Sequence, residues 1–294
     1  MKTMWHSVLV FCLFFLSGGA RAVEPPAIVG PEPVPPPGPV TVPPAGPIDT
    51  DVLVRVVAHG AMVLGDDVGG AAITITDVVT GKLLASGLQR GEAGDQNQIM
   101  RTPRLLEEPH YSTRPSGAFV TTLALEKPTL VEISAQGPLG YLAAMQKAST
   151  TVLLVPGRDV TNDGIVLHLY GFIVQIENPP PGRPLMAKDD VKLTASIRTL
   201  SGSPIRPHGD WDSRKIAIHG EVLIGDRVVE RLQMFYSGSK SIFEAPFFVP
   251  LPAEAPDGVT LRVLAADVGG GNFGIGEAQY PVRPEQIKRS KKER

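Results

Sequence analysis

The sequence predicts an all-β protein made of two tandem β-sandwich domains behind a proline-rich arm. Three observations support this fold class. Short stretches of alternating β-branched residues recur along the chain and are separated by turn signals, which is typical of sandwich strands. Two such regions flank a second proline-rich segment at residues 178–187. The length of 294 residues is also sufficient for two domains of ordinary size.

The clearest predicted element is a β-hairpin within residues 67–88. Ile73 and Ile75 alternate with threonines, a pattern that favours a strand with one buried face. Residues 77–81 (D-V-V-T-G) then predict a turn, and residues 82–86 predict the returning strand.

The overall composition is that of an ordinary globular protein. Hydrophobic residues make up 43% of the chain and charged residues 20%, and the formal net charge is −2. A nucleic-acid-binding domain usually carries a basic face or stripe, so we expect no nucleic-acid partner.

The first 22 residues have the features of a secretory signal peptide. Lys2 precedes the apolar run at residues 8–16, and residues 20–22 (A-R-A) predict cleavage after Ala22. This run is too short to span a bilayer, and no later segment reaches about eighteen consecutive apolar residues. We therefore expect a periplasmic or extracellular protein without a transmembrane segment.

The only cysteine, Cys12, lies within this predicted signal peptide. The residues before it lack the small side chains of a bacterial lipid-attachment site, so we do not expect lipidation. A mature chain without cysteine has no disulfide, thiolate metal site or thiol nucleophile. For an exported protein of this size, that favours a bacterial envelope over a eukaryotic secretory route.

The mature chain is expected to consist of an arm, two domains, a linker and a tail. Proline lacks the backbone donor, so the arm should be an extended polyproline II segment. A disordered leader is favoured for it, and a spacer or a docking ligand for an aromatic groove is the alternative. The linker is stiff by composition and should hold the two domains apart. The expected ranges are 23–49 for the arm, 50–177 for the first sandwich with its last strand at 164–176, 178–187 for the linker, 188–282 for the second sandwich, and 283–294 for a disordered basic tail.

Four segments of the first sandwich resemble a known family. They are residues 56–61 (V-V-A-H-G-A), 68–75 (V-G-G-A-A-I-T-I), 80–87 (T-G-K-L-L-A-S-G) and 116–119 (S-G-A-F). Together they look like the carboxypeptidase regulatory-like domains of transthyretin-like fold, over residues 52–135. The resemblance implies a β-sandwich with an accessory, non-catalytic role and carries over no functional residue. This chain departs from the family at residues 89–115, where the family has a short turn.

The second sandwich carries a glycine-rich segment at residues 267–274 (D-V-G-G-G-N-F-G). It resembles the D-x-x-G-N-x-G end of bacterial immunoglobulin-like modules, with extra glycines. Residues 269–274 also satisfy G-x-G-x-x-G, but Gly276 and Pro281 leave no helix to hold a pyrophosphate, so we expect a turn.

Two segments are candidates for metal binding. Residues 159–164 (D-V-T-N-D-G) begin like a calcium loop, but Tyr170 stands where the bidentate glutamate belongs, so a turn is favoured and a looser calcium site is the alternative. The second candidate is a loop that combines imidazoles and carboxylates two residues apart, which could bind a divalent metal, or could simply be a polar loop. Its residues are His208, Asp210, Asp212 and His219.

Residues 89–115, which we call the insertion, are long for a sandwich loop and are the candidate binding segment. Long ordered loops on rigid scaffolds often carry recognition, although a disordered insertion is equally compatible with the sequence. Its cationic and aromatic side chains suit an acidic protein or a glycan. These residues are Arg101, Arg104, His110, Tyr111 and Arg114.

No catalytic motif is visible in the sequence. The chain has no G-x-S-x-G and no H-E-x-x-H, and its paired carboxylates are adjacent on predicted strands, where neighbours point to opposite faces. We expect a non-catalytic interaction or accessory protein of the bacterial envelope, with a protein or polysaccharide partner. A metal-handling protein and an enzyme acting on envelope polymer are the alternatives.

Overall fold

The computed structural model describes residues 46–106, 108–113 and 116–285. The predicted signal peptide, most of the predicted arm and the end of the basic tail lie outside these residues. The regular secondary structure of the described residues is nearly all β-strand and forms tandem β-sandwiches, which confirms the predicted fold class. None of its helices is long and apolar enough to cross a membrane.

The first sandwich comprises seven strands that are hydrogen-bonded in the order β6-β5-β2-β3-β4-β1-β7. β3 and β4 share few paired residues, and this is where the sheet folds over into its two layers. The layers are β6-β5-β2-β3 and β4-β1-β7, with β1 and β7 parallel. The strands are β1 (Ile48–Ala58), β2 (Ala71–Asp77), β3 (Leu83–Ala93), β4 (Ser116–Leu125), β5 (Thr129–Gly137), β6 (Gln146–Leu154) and β7 (Val160–Leu169). Helix α1 (Gln96–Arg101) and the 3-10 helices Asp66–Val68 and Leu142–Ala144 lie between strands.

The predicted hairpin is β2 and β3, paired antiparallel. Ile73 and Ile75 are buried while Thr74 is exposed, so the period-2 pattern sets which face enters the core. The Asp77 carboxylate accepts hydrogen bonds from the backbone N–H groups of Val79 and Thr80, and this closes the predicted turn. The returning strand continues to Ala93, well beyond the predicted residue 86.

The second sandwich contains two four-stranded sheets, β15-β16-β10-β8 and β14-β13-β17-β18. Leu193, Ala195 and Ile197 of β10 are fully buried, as their alternation predicts. The strands are β8 (Phe172–Asn178), β9 (Leu185–Met186), β10 (Asp190–Thr199), β11 (Ile205–Arg206), β12 (Trp211–Asp212), β13 (Ala217–Ile224), β14 (Arg227–Gln233), β15 (Phe235–Tyr236), β16 (Ile242–Phe248), β17 (Val259–Asp267), β18 (Asn272–Tyr280) and β19 (Val282–Arg283), with a 3-10 helix at Ser213–Lys215.

The chain passes from one sandwich to the other between β7 and β8. The sequence placed residues 164–176 in one strand of the first sandwich, but Gly171 has a φ of +148° and separates two strands. β7 pairs with β1, whereas β8 pairs antiparallel with β10. The side-chain pattern does not reveal this change, because apolar residues continue on both sides of Gly171 and only the pairing partners of the two strands differ.

The two sandwiches are in contact rather than held apart. Ile173 and Leu200 come from second-sandwich strands or turns but belong to the first hydrophobic core. Trp211 packs against both cores, and its ring lies edge-on to Phe172. Arg198 donates a hydrogen bond of 2.8 Å to the hydroxyl of Tyr141 in the first sandwich. The sequence-based expectation of two spaced units is therefore wrong for the described residues.

The predicted linker folds onto the second sandwich instead of acting as a spacer. β9 lies within it and pairs parallel with β19 at the start of the predicted tail. The Tyr280 hydroxyl donates a 2.7 Å hydrogen bond to the Pro179 carbonyl, and burial raises the pKa of Tyr280 to about 12. Composition alone indicated a stiff segment, but the backbone N–H groups of Leu185 and Ala187, after its last proline, donate to the carbonyls of Pro281 and Arg283.

Candidate functional site

The insertion is an ordered layer over the first sandwich. It starts within β3, continues through α1 and returns to β4. The Asp95 side chain caps α1 by accepting a hydrogen bond from the backbone N–H of Gln98. This helix was not predicted, because six residues give too little periodicity to recognise. Arg114, one of the predicted binding residues, lies outside the described residues.

Asp163 anchors the returning half of the insertion. Its carboxylate accepts hydrogen bonds of 2.8 Å from the backbone N–H groups of His110, Tyr111 and Ser112. The nearby Arg55 guanidinium bonds to the Asn162 carbonyl. Burial lowers the pKa of Arg55, and the charge of Asp163 offsets part of that effect. The segment that began like a calcium loop therefore uses Asp163 to fix the insertion.

A small apolar cluster fills the space between the insertion and the sheet. Tyr111 is 8% exposed and Ile99 is 7% exposed, and both pack against Val57 of β1 and Val166 of β7. Tyr111 is thus a structural residue rather than an exposed binding residue. Burial raises its pKa, partly offset by Arg104 and reinforced by Asp163.

A groove of about 540 Å³ runs between the insertion and β7, and we call it the insertion groove. One wall is formed by residues 104–106 and 108–109, and the other by residues 161–164. Leu106 is 92% exposed and Leu105 is 56% exposed. Arg104 lies beside these two leucines and Glu108 lies on the same wall, so charges of both signs and an apolar surface border the same open groove.

A group of rings lies at the end of β1 and β7. The register of the parallel pair places His59 beside Tyr170, and the two rings stack with centroids 4.0 Å apart. His168 lies 5.9 Å from His59 and 6.3 Å from Tyr111, measured between ring centroids. Sequence reasoning missed this group, because the two histidines are separated by more than a hundred residues. Only their positions near the ends of two apolar strands hinted at it.

His168 is half-buried, although it alternates with the buried Leu167 and Leu169 along β7. The insertion covers the outer face of the sheet at this point. Burial lowers the pKa of His168, and the nearby His59 and Arg104 lower it further. The imidazole is therefore kept neutral near neutral pH.

Arg101 and Asp210 come from the two different predicted sites and pair with each other. The Arg101 guanidinium donates hydrogen bonds of 3.1 and 3.2 Å to the Asp210 carboxylate, and Gln96 donates a third. The hydrogen bond from Arg101 is the main reason that the pKa of Asp210 is lowered. This contact ties α1 to the second sandwich.

The four predicted metal ligands do not converge. Asp212 caps the Ser213–Lys215 helix and pairs with Arg214, whose hydrogen bonds lower the pKa of Asp212. The His219 Nε2 lies 3.9 Å from a Glu221 oxygen on β13, and His208 sits in a turn with a φ of +58°. In the part of the chain that the structure describes, no three His, Cys, Asp or Glu side chains are placed to hold a metal ion. Metal binding stays a prediction that metal analysis of the purified protein would test.

The glycine-rich segment forms the turn between β17 and β18. Asp267 accepts a hydrogen bond from the backbone N–H of Gly270, and Gly271 has a φ of +74°. The segment continues directly into β18 and not into a helix, in agreement with the expectation of a turn in place of a dinucleotide-binding motif.

Comparison with known proteins does not identify a family. No family model matches the chain, and no curated protein matches it in sequence. Among solved structures, the fibronectin(III)-like modules of Clostridium thermocellum CbhA are 12% identical, with a TM-score of 0.27 over 84% of this chain and 100% of that one. The full ectodomain (Ig1–Ig3) of mouse nectin-like molecule 4 is 12% identical, with a TM-score of 0.20 over 81% of this chain and 65% of that one.

Proposed function

We propose that this chain is an exported, non-catalytic interaction protein of the bacterial cell envelope, and that its insertion groove binds a protein or polysaccharide partner. The observation that carries the proposal is the insertion groove itself. It places an exposed cation, Arg104, beside the exposed Leu105 and Leu106 on a segment that is anchored to the sheet. Such a combination suits a ligand that offers an anionic group next to an apolar surface.

The anchoring supports a binding role because it lowers the entropy lost when a partner is bound. Asp163 fixes the backbone of the insertion at three consecutive residues, and Ile99 and Tyr111 fill the space beneath it. The contact between Arg101 and Asp210 braces the other end of the segment against the second sandwich.

The proposal also includes the identity of the first sandwich as a transthyretin-like, carboxypeptidase regulatory-like module. The segments that carry the resemblance fall on β1, β2, β3 and the start of β4, within one two-layered sandwich. An accessory module of this kind fits a chain with a predicted signal peptide and a periplasmic or extracellular location.

The test compares capture by the unaltered chain with capture by two double variants. Arg104→Ala/Leu106→Ala removes the cation and the most exposed leucine of the insertion groove. The control, Arg227→Ala/Leu142→Ala, removes an exposed arginine and an exposed leucine elsewhere. Each chain is immobilised and exposed to envelope extract, and bound proteins and glycans are identified.

We expect a partner that the unaltered chain and the control retain and that the groove variant loses at least about tenfold, equivalent to about 1.4 kcal/mol of binding free energy. A partner held equally by all three chains would move the site away from the insertion groove. Turnover of envelope polymer by the purified chain would overturn the non-catalytic assignment.

A further inference from the structure

Among the described residues, β6 is a long sheet edge without the features that normally protect edge strands. It has nine residues and pairs with β5 along its whole length without a bulge. It contains no proline, and Lys147 is its single charged residue. Natural proteins usually protect such edges with prolines, several charges, bulges or a covering segment, because an open edge can pair with another strand.

The other edges of the larger sheets are protected in the described part of the chain. The insertion lies against β7 through the bonds of Asp163. β14 contains three charged residues, and a register shift interrupts its pairing with β13. β15 is only two residues long, and the edge of β16 beyond it carries Pro246. β8 and β18 face each other, with Gly274 packed against Phe172.

We propose that β6 pairs antiparallel with β6 of a second copy of this chain, which joins two four-stranded layers into one continuous sheet. A two-fold axis at Thr150 is the register that the side chains favour. In that register each outward-facing residue of one β6 lies opposite an outward-facing residue of the other. The inward-facing residues of both strands therefore stay in their own cores.

The charges and side chains of β6 are self-complementary in this register. Ser149 lies opposite Thr151 of the second copy, and such hydroxyl pairs are favourable across strands. Lys147 lies opposite Leu153, so no like charges meet, and the lysine stem covers a leucine that is 57% exposed. Leu130 of β5 is 39% exposed and is the cross-strand neighbour of Leu153, which extends the apolar contact.

A second copy is favoured over a strand of an unrelated protein because β6 itself supplies the side chains that are complementary to β6 in this register. The proposal is independent of the insertion groove. A dimer would carry two insertion grooves, and binding through both at once would strengthen its attachment to a partner with repeated binding sites.

The test uses the full chain in sedimentation equilibrium and in light scattering coupled to size exclusion. We expect a concentration-dependent dimer. Ser149→Lys/Thr151→Lys places like charges opposite each other on both sides of the axis and should weaken the dimer at least about tenfold. The control, Thr74→Lys/Thr76→Lys, adds the same charges to β2, inside the sheet, and should leave the dimer unchanged.

A charge-swap experiment separates this pairing from a general effect of charge. Ser149→Glu/Thr151→Glu should also be monomeric alone, and an equimolar mixture with the lysine variant should form the dimer again. Thermal unfolding and circular dichroism confirm that each variant is folded. A chain that stays monomeric at all concentrations, and so leaves the edge to a strand of another protein, overturns the proposal. A dimer that the lysine variant does not weaken, or that the mixture does not restore, also overturns it.

Discussion

The Arg101 guanidinium and the Asp210 carboxylate form a two-pronged ion pair across 109 residues of chain. Arg101 ends the helix of the insertion, and Asp210 lies in a loop of the second sandwich. The sequence offered these residues as parts of two separate sites, one for an acidic partner and one for a metal. In the folded chain they neutralise each other and fix the insertion against the neighbouring domain.

Breaking this pair should loosen α1 without unfolding either sandwich. We expect Arg101→Gln and Asp210→Asn each to speed amide exchange in residues 96–101, and the double variant to resemble either single variant, because both remove the same contact. Hydrogen exchange measures this. Lys192→Gln, which breaks a 3.2 Å pair with Glu244 within the second sandwich, is the control and should leave exchange in α1 unchanged.

The same pair should make α1 sensitive to acid. The folded-state pKa of Asp210 is depressed, so its contribution is complete above the ordinary value of about 4 and is lost as pH falls through the lower folded-state value. Protection of the α1 amides, measured as exchange relative to the intrinsic rate at each pH, should therefore fall below about pH 4 in the unaltered chain and vary less with pH in Asp210→Asn. An equal loss of protection in both chains would contradict the assignment.

Trp211 should couple the two sandwiches. Its ring contacts both hydrophobic cores and lies edge-on to Phe172, with centroids 5.7 Å apart. We expect Trp211→Ala to cost about 3 kcal/mol and to separate calorimetric unfolding into two transitions. Trp211→Phe keeps most of the ring contact and should retain one transition. A single unshifted transition in the alanine variant would show that the domains are coupled elsewhere.

Gln89 should be essential to the first sandwich despite being polar. It is fully buried, accepts a hydrogen bond from the Val56 N–H, and donates to the carbonyls of Val56 and Leu64. Gln89→Leu leaves these backbone groups without partners and should cost about 3 kcal/mol in urea unfolding. Gln136→Leu, at an exposed position of β5, is the matched control and should change stability little. Equal losses in the two variants would contradict this role.

His168 should make stability fall on mild acidification. Its folded-state pKa is lowered by burial, His59 and Arg104, so the unfolded chain takes up the proton first. The free energy of unfolding should be fully maintained above the ordinary histidine value of about 6.5 and decline as pH falls towards the folded-state value. His168→Gln should flatten this decline in urea unfolding between about pH 5 and 8. An equal decline in the variant and the unaltered chain would contradict this role.

Much of the strand content was predictable because it depends on local pattern. The alternation in β2 and β10 identifies the buried face wherever the strand is placed, and Asp77 closes its turn through neighbouring backbone groups. The dinucleotide and EF-hand patterns could also be judged from local sequence, because the residues that follow them do not supply the helix or the glutamate that each motif requires.

Tertiary structure alone decided how these strands are joined and which residues meet. The passage between sandwiches falls at Gly171 because β7 and β8 differ in their pairing partners, and pairing is not encoded in the strand's own pattern. His59 and Tyr170 stack because β1 and β7 run parallel in one register. Arg101 meets Asp210 because the two sandwiches pack together. The sequence by itself determined an all-β chain with a long insertion. The fold determined that the insertion is a braced layer, because only long-range contacts supply the partners for its polar and apolar groups.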